Sequence, residues 1–120
     1  MLSLSEARRY FLYRGKTDMR KSFDGLSGLV RDKLHRDPLS GEVFVFMSKR
    51  RNQIRLLLWE GDGFSMYCKR LEKGTFQIPD ADSENIEVTS NQLLFILKGI
   101  RLESVKQMKR FLLHKNQPAD

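Results

Sequence analysis

The side chains that could act as nucleophile, base or metal ligand are few and scattered. His35, His114 and the single Cys68 show no C-x-x-C or H-x3-5-H spacing, so no zinc site is written, and the lone thiol cannot close an internal disulfide. Nucleophilic chemistry needs a base beside the nucleophile, yet one histidine flanks a helix end and the other lies near the C-terminus. Gly25-Leu26-Ser27-Gly28 lacks the Lys-Ser/Thr of a phosphate-binding loop and has no third glycine. Asp18, Asp24, Asp32 and Asp37 are close enough in sequence to suggest metal-dependent phosphoryl transfer. At helical spacing, however, Asp24 follows Arg20 by one turn and Asp32 is directed away from a common point, the pattern of capping and surface ion pairs. The expectation is a chain with no catalytic residue, no bound metal and no cofactor.

Basic residues form the stronger constellation. The 120 residues carry 22 Lys and Arg against 15 Asp and Glu, a net charge of +7, which favours an acidic partner such as nucleic acid. Lys49, Arg50 and Arg51 crowd a predicted hairpin tip, Arg20 and Lys21 fall in the first turns of a predicted helix, and Lys69-Arg70 ends a predicted strand. Cations held out from a fold can follow a phosphate backbone without desolvation, and a lysine near a helix N-terminus opposes the macrodipole unless an anion sits there. The competing reading is a solubilising surface, with residues 49–51 guarding the turn against edge aggregation. Arg55, Trp59 and Phe64 suggest a different chemistry, that of buried anchors at a protein interface, and Trp59, Phe64 and Tyr67 a surface on which unpaired bases could stack, although aromatics at strand spacing are more often core. Arg55 stands mid-strand among aromatics, either paired with an acid such as Glu42 or exposed on a binding face.

These groups must be positioned by one domain, since 120 residues exclude a multidomain enzyme but suffice for a core without staples. The core is expected over about residues 10–113, with flexible tails at 1–9 and 114–120. The N-terminus shows no signal architecture and apolar runs are short, which reads as cytoplasmic with no membrane association. Residues 10–13 read as a first strand ended by Gly15. From Met19 to Leu34 apolar residues recur every three or four positions, predicting an amphipathic helix capped by Thr17 or Asp18 and stopped by Asp37-Pro38. Gly25 and Gly28 on it suggest a close approach by another element.

Residues 42–71 are rich in strand formers and broken at Lys49-Arg50-Arg51-Asn52 and Glu60-Gly61-Asp62-Gly63, predicting a three-stranded antiparallel meander. Four-residue turns would set Ser48 opposite Gln53 and Trp59 opposite Phe64. One face then carries Val43, Val45, Met47, Ile54, Leu56, Leu58 and Tyr67. The other carries Phe44, Phe46, Leu57, Trp59, Phe64, Met66 and Cys68, with Arg55 among them. Both faces are apolar, so the sheet should be covered on each side by helices, or on one side by a partner. Four acids and no base occupy residues 80–97, and those at 80–84 read as a loop. Residues 86–88 suggest a last strand. Thr89-Ser90-Asn91-Gln92 matches a capping box ahead of a short apolar helix that Gly99 ends. A final helix is predicted from about Arg101. The fold class expected is α+β: a small antiparallel meander packed against an N-terminal amphipathic helix and C-terminal helices.

The motifs Gly15-Lys16-Thr17-Asp18-Met19-Arg20-Lys21-Ser22-Phe23-Asp24-Gly25-Leu26, Asp37-Pro38-Leu39-Ser40-Gly41, Phe44-Val45-Phe46, Arg50, Leu56-Leu57-Leu58-Trp59-Glu60-Gly61-Asp62-Gly63-Phe64 and Lys69-Arg70-Leu71-Glu72-Lys73-Gly74-Thr75-Phe76 occur in order. Together they resemble the small accessory proteins, TnpB, of the insertion sequence 66 family, from about Tyr10 to Gly99. Met47 stands where a basic or polar residue is frequent, and Glu60 where Asp is common. The resemblance implies a bacterial mobile element whose strand-transfer chemistry belongs to a separate, larger transposase, with this chain as a non-catalytic helper. It supplies no catalytic residue. Its recurrent motif residues able to face a partner are Asp18, Arg20, Lys21, Arg50, Trp59, Lys69 and Arg70. Two functions are expected on this basis. The first is contact with element-end DNA through Arg20, Lys21, Lys49, Arg50, Arg51, Lys69 and Arg70. The alternative is a module that binds the transposase or itself through Arg55, Trp59 and Phe64.

Overall fold

The computed structural model describes residues 4–99; the predicted final helix lies outside the described residues. Strands β1 (Tyr10–Lys16), β2 (Val43–Met47), β3 (Gln53–Trp59), β4 (Phe64–Arg70) and β5 (Asn85–Val88) join helices α1 (Phe23–Asp32) and α2 (Ser90–Leu97) in an α+β fold. One five-stranded sheet has the order β4-β3-β2-β1-β5. The β2-β3-β4 meander is antiparallel as the turn chemistry requires, with Trp59 opposite Phe64 and Ser48 bonded through its N–H to Gln53 O at 3.0 Å. The sheet extends past the meander and is mixed. β1 pairs parallel to β2, with α1 in the crossover between them, and β5 pairs antiparallel to the other side of β1.

The predicted division of side chains between the two faces holds. Val43, Val45, Met47, Ile54 and Leu56 join Tyr10, Leu12, Leu93, Ile96 and Leu97 in a core roofed by α2. Phe44, Phe46 and Leu57, all without exposed surface, pack with Phe11, Tyr13, Leu26 and Val30 beneath α1. Burying each such side chain is worth about 1.5–3 kcal/mol, so a sheet apolar on both faces is stable only when sandwiched. α2 begins with the predicted capping box: Gln92 N–H donates to Thr89 Oγ1 at 3.1 Å, and Thr89 N–H donates to Gln92 Oε1 at 2.7 Å. Gly99, at φ +77°, follows its end.

Helix α1 departs from the expectation. It begins at Phe23, with Ser22 rather than Thr17 or Asp18 at the N-cap. Thr17 is tied by its N–H to Met47 O at 3.0 Å, and Asp18 accepts from Arg20 N–H at 2.9 Å. Lys21 N–H closes the turn on Asp18 O at 3.1 Å, so these residues link β1 to α1 instead of starting the helix. Arg20 and Lys21 therefore precede α1. The glycines also play a different part: the nearest atoms to a Cβ at Gly25 would be those of the Lys21 side chain, on the residue four before it, and one at Gly28 would meet open space. Neither admits a neighbouring element. β1, finally, does not stop at Gly15. Tyr13 pairs with Phe46 and Lys16 with Met47, leaving Arg14 and Gly15 as a bulge.

Candidate nucleic-acid interface

Most of the predicted cations lie toward one end of the sheet. The β2-β3 turn carrying Lys49, Arg50 and Arg51 lies beside the end of β4, where Arg70 pairs with Gln53 and Lys69 with Ile54. The end of β1 joins them, through Lys16 opposite Met47. The link that carries Arg20 and Lys21 starts beside Met47 at Thr17 and reaches β3 where the Arg55 guanidinium donates to Lys21 O at 2.7 Å. Lys69 turns to the α2 side, its ammonium donating to Leu97 O at 3.0 Å and so ending that helix favourably.

Charge compensation is concentrated elsewhere. Arg9, Arg36, Glu42 and Glu87 form a network around the start of β1, in which Arg36 meets Glu42 at 2.8 Å and Arg9 meets Glu87 at 2.7 Å. The hydrogen bonds from Arg36 and Arg9 hold the Glu42 and Glu87 carboxyls below their ordinary value, and Arg36 also stacks over Phe11 at 3.9 Å. In the basic band only Arg20 is paired: it grips Asp18 at 2.8 Å and lowers that carboxyl to about 2. Among the described residues, Lys21, Lys49, Arg50, Arg51 and Arg70 make no ion pair.

Arg55, Trp59 and Phe64 are not brought together as one patch. Arg55 is half-buried and pairs with no acid among the described residues; Glu42, suggested as its partner, is taken by Arg36 and Arg9. Buried Leu57 stands between Arg55 and Trp59 on the same face of β3. Trp59 meets Phe64 edge-on at 5.0 Å, and Phe64 stacks on Phe23 at 6.2 Å. Phe23 is 41% exposed, so this aromatic trio reaches the surface at the β3-β4 turn, the far end of β3 from the basic hairpin.

The residues able to do covalent chemistry sit apart from one another. His35 adopts φ +54° just after α1, and Cys68 is exposed on β4. No group of three or more His, Cys, Asp or Glu able to hold a metal occurs among the described residues. Sequence reading passed over two cations, Arg14 and Lys16. Both line a cleft of about 360 Å3 shared with Lys49 and Arg51. Their signal in the sequence was Gly15 between two bases at a strand end. A larger cleft of about 630 Å3 lies on the α2 side, with Leu4, Tyr10, Val43, Leu56 and Leu58 in its lining. No helix among the described residues is long and apolar enough to cross a membrane.

The fold and this surface define a small α+β protein with a cationic band along one end of a sandwiched mixed sheet. By sequence the chain belongs to the IS66 Orf2-like family, whose model matches residues 8–107 and which associates the chain with insertion-sequence transposition as an accessory protein. Two relatives come from Sinorhizobium fredii (strain NBRC 101917 / NGR234). The uncharacterized protein y4hO is 33% identical over 100 residues, covering 83% of this chain and 87% of its own length. The uncharacterized protein y4jC is 29% identical over 107 residues, covering 89% and 92%. No solved structure matches the chain.

Proposed function

We propose that this chain is a non-catalytic accessory protein of insertion-sequence transposition that contacts element DNA in the cytoplasm through its basic band. The observation that carries this reading is that, among the described residues, Lys21, Lys49, Arg50, Arg51 and Arg70 make no ion pair, while Glu42 and Glu87 are engaged by Arg36 and Arg9 at the other end of the sheet. Uncompensated charge on one side of a small body attracts a polyanion, and each phosphate neutralised releases counterions. Binding is then mainly to phosphates, weakly selective for sequence and steeply dependent on salt. The absence of catalysis is part of the proposal: His35 lies just past α1, and no His lies beside Cys68 in sequence. Retardation of element-end DNA at low salt should weaken strongly in a Lys49→Ala/Arg50→Ala/Arg51→Ala variant; unchanged retardation would remove the hairpin from the interface.

A second reading is favoured by the surface aromatic trio Phe23, Phe64 and Trp59. Aromatic side chains are preferred at interface centres, and this group could anchor the transposase or a second copy. Co-purification with the transposase that is lost in a folded Trp59→Ala variant would support it. Size-exclusion of the same variant would test self-association.

A further inference from the structure

We propose that the cleft between the β1 bulge and the β2-β3 hairpin seats a single phosphate group of a nucleic-acid strand. The proposal deepens the DNA-contact reading and rests on it for the identity of the molecule that carries the phosphate. The cleft holds about 360 Å3 and is lined by Arg14, Lys16, Lys49 and Arg51, with Ser48 at its wall and, among the described residues, Glu84 as the only carboxylate. Glu84 makes no ion pair with any of these cations among the described residues. Four cations with one acid around so small a space repel one another, and an anion between them removes that repulsion.

Three local features build this arrangement. The bulge at Arg14 and Gly15 takes these residues out of the ladder, and bulges of this kind re-aim side chains at strand ends. Gly15 is required there, because a Cβ would lie 2.2 Å from the Tyr13 ring that folds back over it. The Arg14 guanidinium is held by Ala81 O at 2.6 Å and Ser83 O at 3.0 Å, so loop 80–84 meets it through backbone carbonyls and leaves the charge uncancelled. Its Nε is buried and has no partner among the described residues. Opposite, Arg51 occupies left-handed backbone at φ +57°, a conformation usually given to Gly or Asn. Strain of this kind clusters at ligand-contacting positions.

The test uses the full chain and two double variants of exposed residues, Lys16→Gln/Lys49→Gln within the cleft and Arg50→Gln/Arg70→Gln outside it. Thermal unfolding is followed in sodium phosphate and in sodium chloride at matched ionic strength. Phosphate should raise the midpoint of the wild type and of the outer variant, and not that of the cleft variant. Equal midpoints in the two salts, or a phosphate effect that survives in the cleft variant, would overturn the site. Duplexes with a 5′-phosphate and with a 5′-hydroxyl then separate the sources of the group. Tighter binding of the phosphorylated duplex assigns a strand terminus, and equal binding assigns an internal phosphodiester. In either case the cleft variant should flatten log affinity against log salt by about 1, since one phosphate is no longer neutralised. A phosphate effect on unfolding without any DNA retardation would overturn the nucleic-acid half and, with it, the proposed function. DNA retardation lost only in the outer variant would keep that function and overturn the cleft.

Discussion

Replacing Arg51 by Asn should move stability and DNA binding in opposite directions. Arg51 stands at φ +57°, with its N–H donating to Ser48 O at 2.9 Å and its carbonyl accepting from Phe76 N–H at 2.6 Å. Those two bonds keep the backbone left-handed, which costs an ordinary L-residue roughly 1–2 kcal/mol. Asn relieves part of that cost and, unlike Gly, adds little freedom to the unfolded chain. It also removes one of three adjacent positive charges at an exposed tip. The net gain should be about 0.5–1 kcal/mol, a rise of a few degrees in Tm for a domain of this size. Affinity for element-end DNA should fall meanwhile, with a salt slope shallower by about 1. Circular-dichroism melting and gel retardation on the same preparation measure both quantities. A lower Tm would mean that the Arg51 side chain holds the turn, and unchanged DNA affinity would mean that its charge has no part in binding; either result refutes the reasoning.

Glu42→Gln should destabilise the fold by about 1–2 kcal/mol in urea titrations at neutral pH, because Arg36 and Arg9 then lose their carboxylate. The Glu42 and Glu87 carboxyls are held below their ordinary value when folded, so their contribution is complete at neutral pH and is lost in acid, as pH falls through the lowered folded values. Acid unfolding of the wild type should therefore be steeper than that of the Glu42→Gln variant. Thr89→Ala removes the side-chain acceptor of the α2 capping box and should cost about 1 kcal/mol in the same titration. Gly15→Ala must displace the buried Tyr13 ring and should cost about 1–3 kcal/mol, with a changed tyrosine signal in the near-ultraviolet spectrum.

The meander was legible because its two turns are spelled in local residues, and one register assigns every side chain from Val43 to Cys68 to a face. The capping box at Thr89 was legible for the same reason. What β1 pairs with was not. A strand such as Tyr10-Phe11-Leu12-Tyr13 declares that it is buried but not its neighbours, and both are remote in sequence: Val43 on one side and Val88 on the other. The start of α1 was misplaced because Met19 and Phe23 share the helical spacing, whereas the Asp18 carboxylate organises a turn around Arg20 that periodicity does not register. Within the candidate site, the hairpin cations were evident from their adjacency. Arg14 and Lys16 were not, because a bulge depends on pairing with β2 and has no period of its own.

The position of β1 between β2 and β5 also sets an order of assembly on the ribosome. Of the five described strands β1 is made first and its second neighbour, β5, last, since Tyr10 faces Val88 across the sheet. Until then one margin of β1 is bare, and Phe11 and Leu12 are left on an open strand edge. Closure waits on a contact of long sequence separation, which is slow to form. A transcript that ends before Asn85 would leave a product that binds itself or a chaperone instead of completing its own sheet.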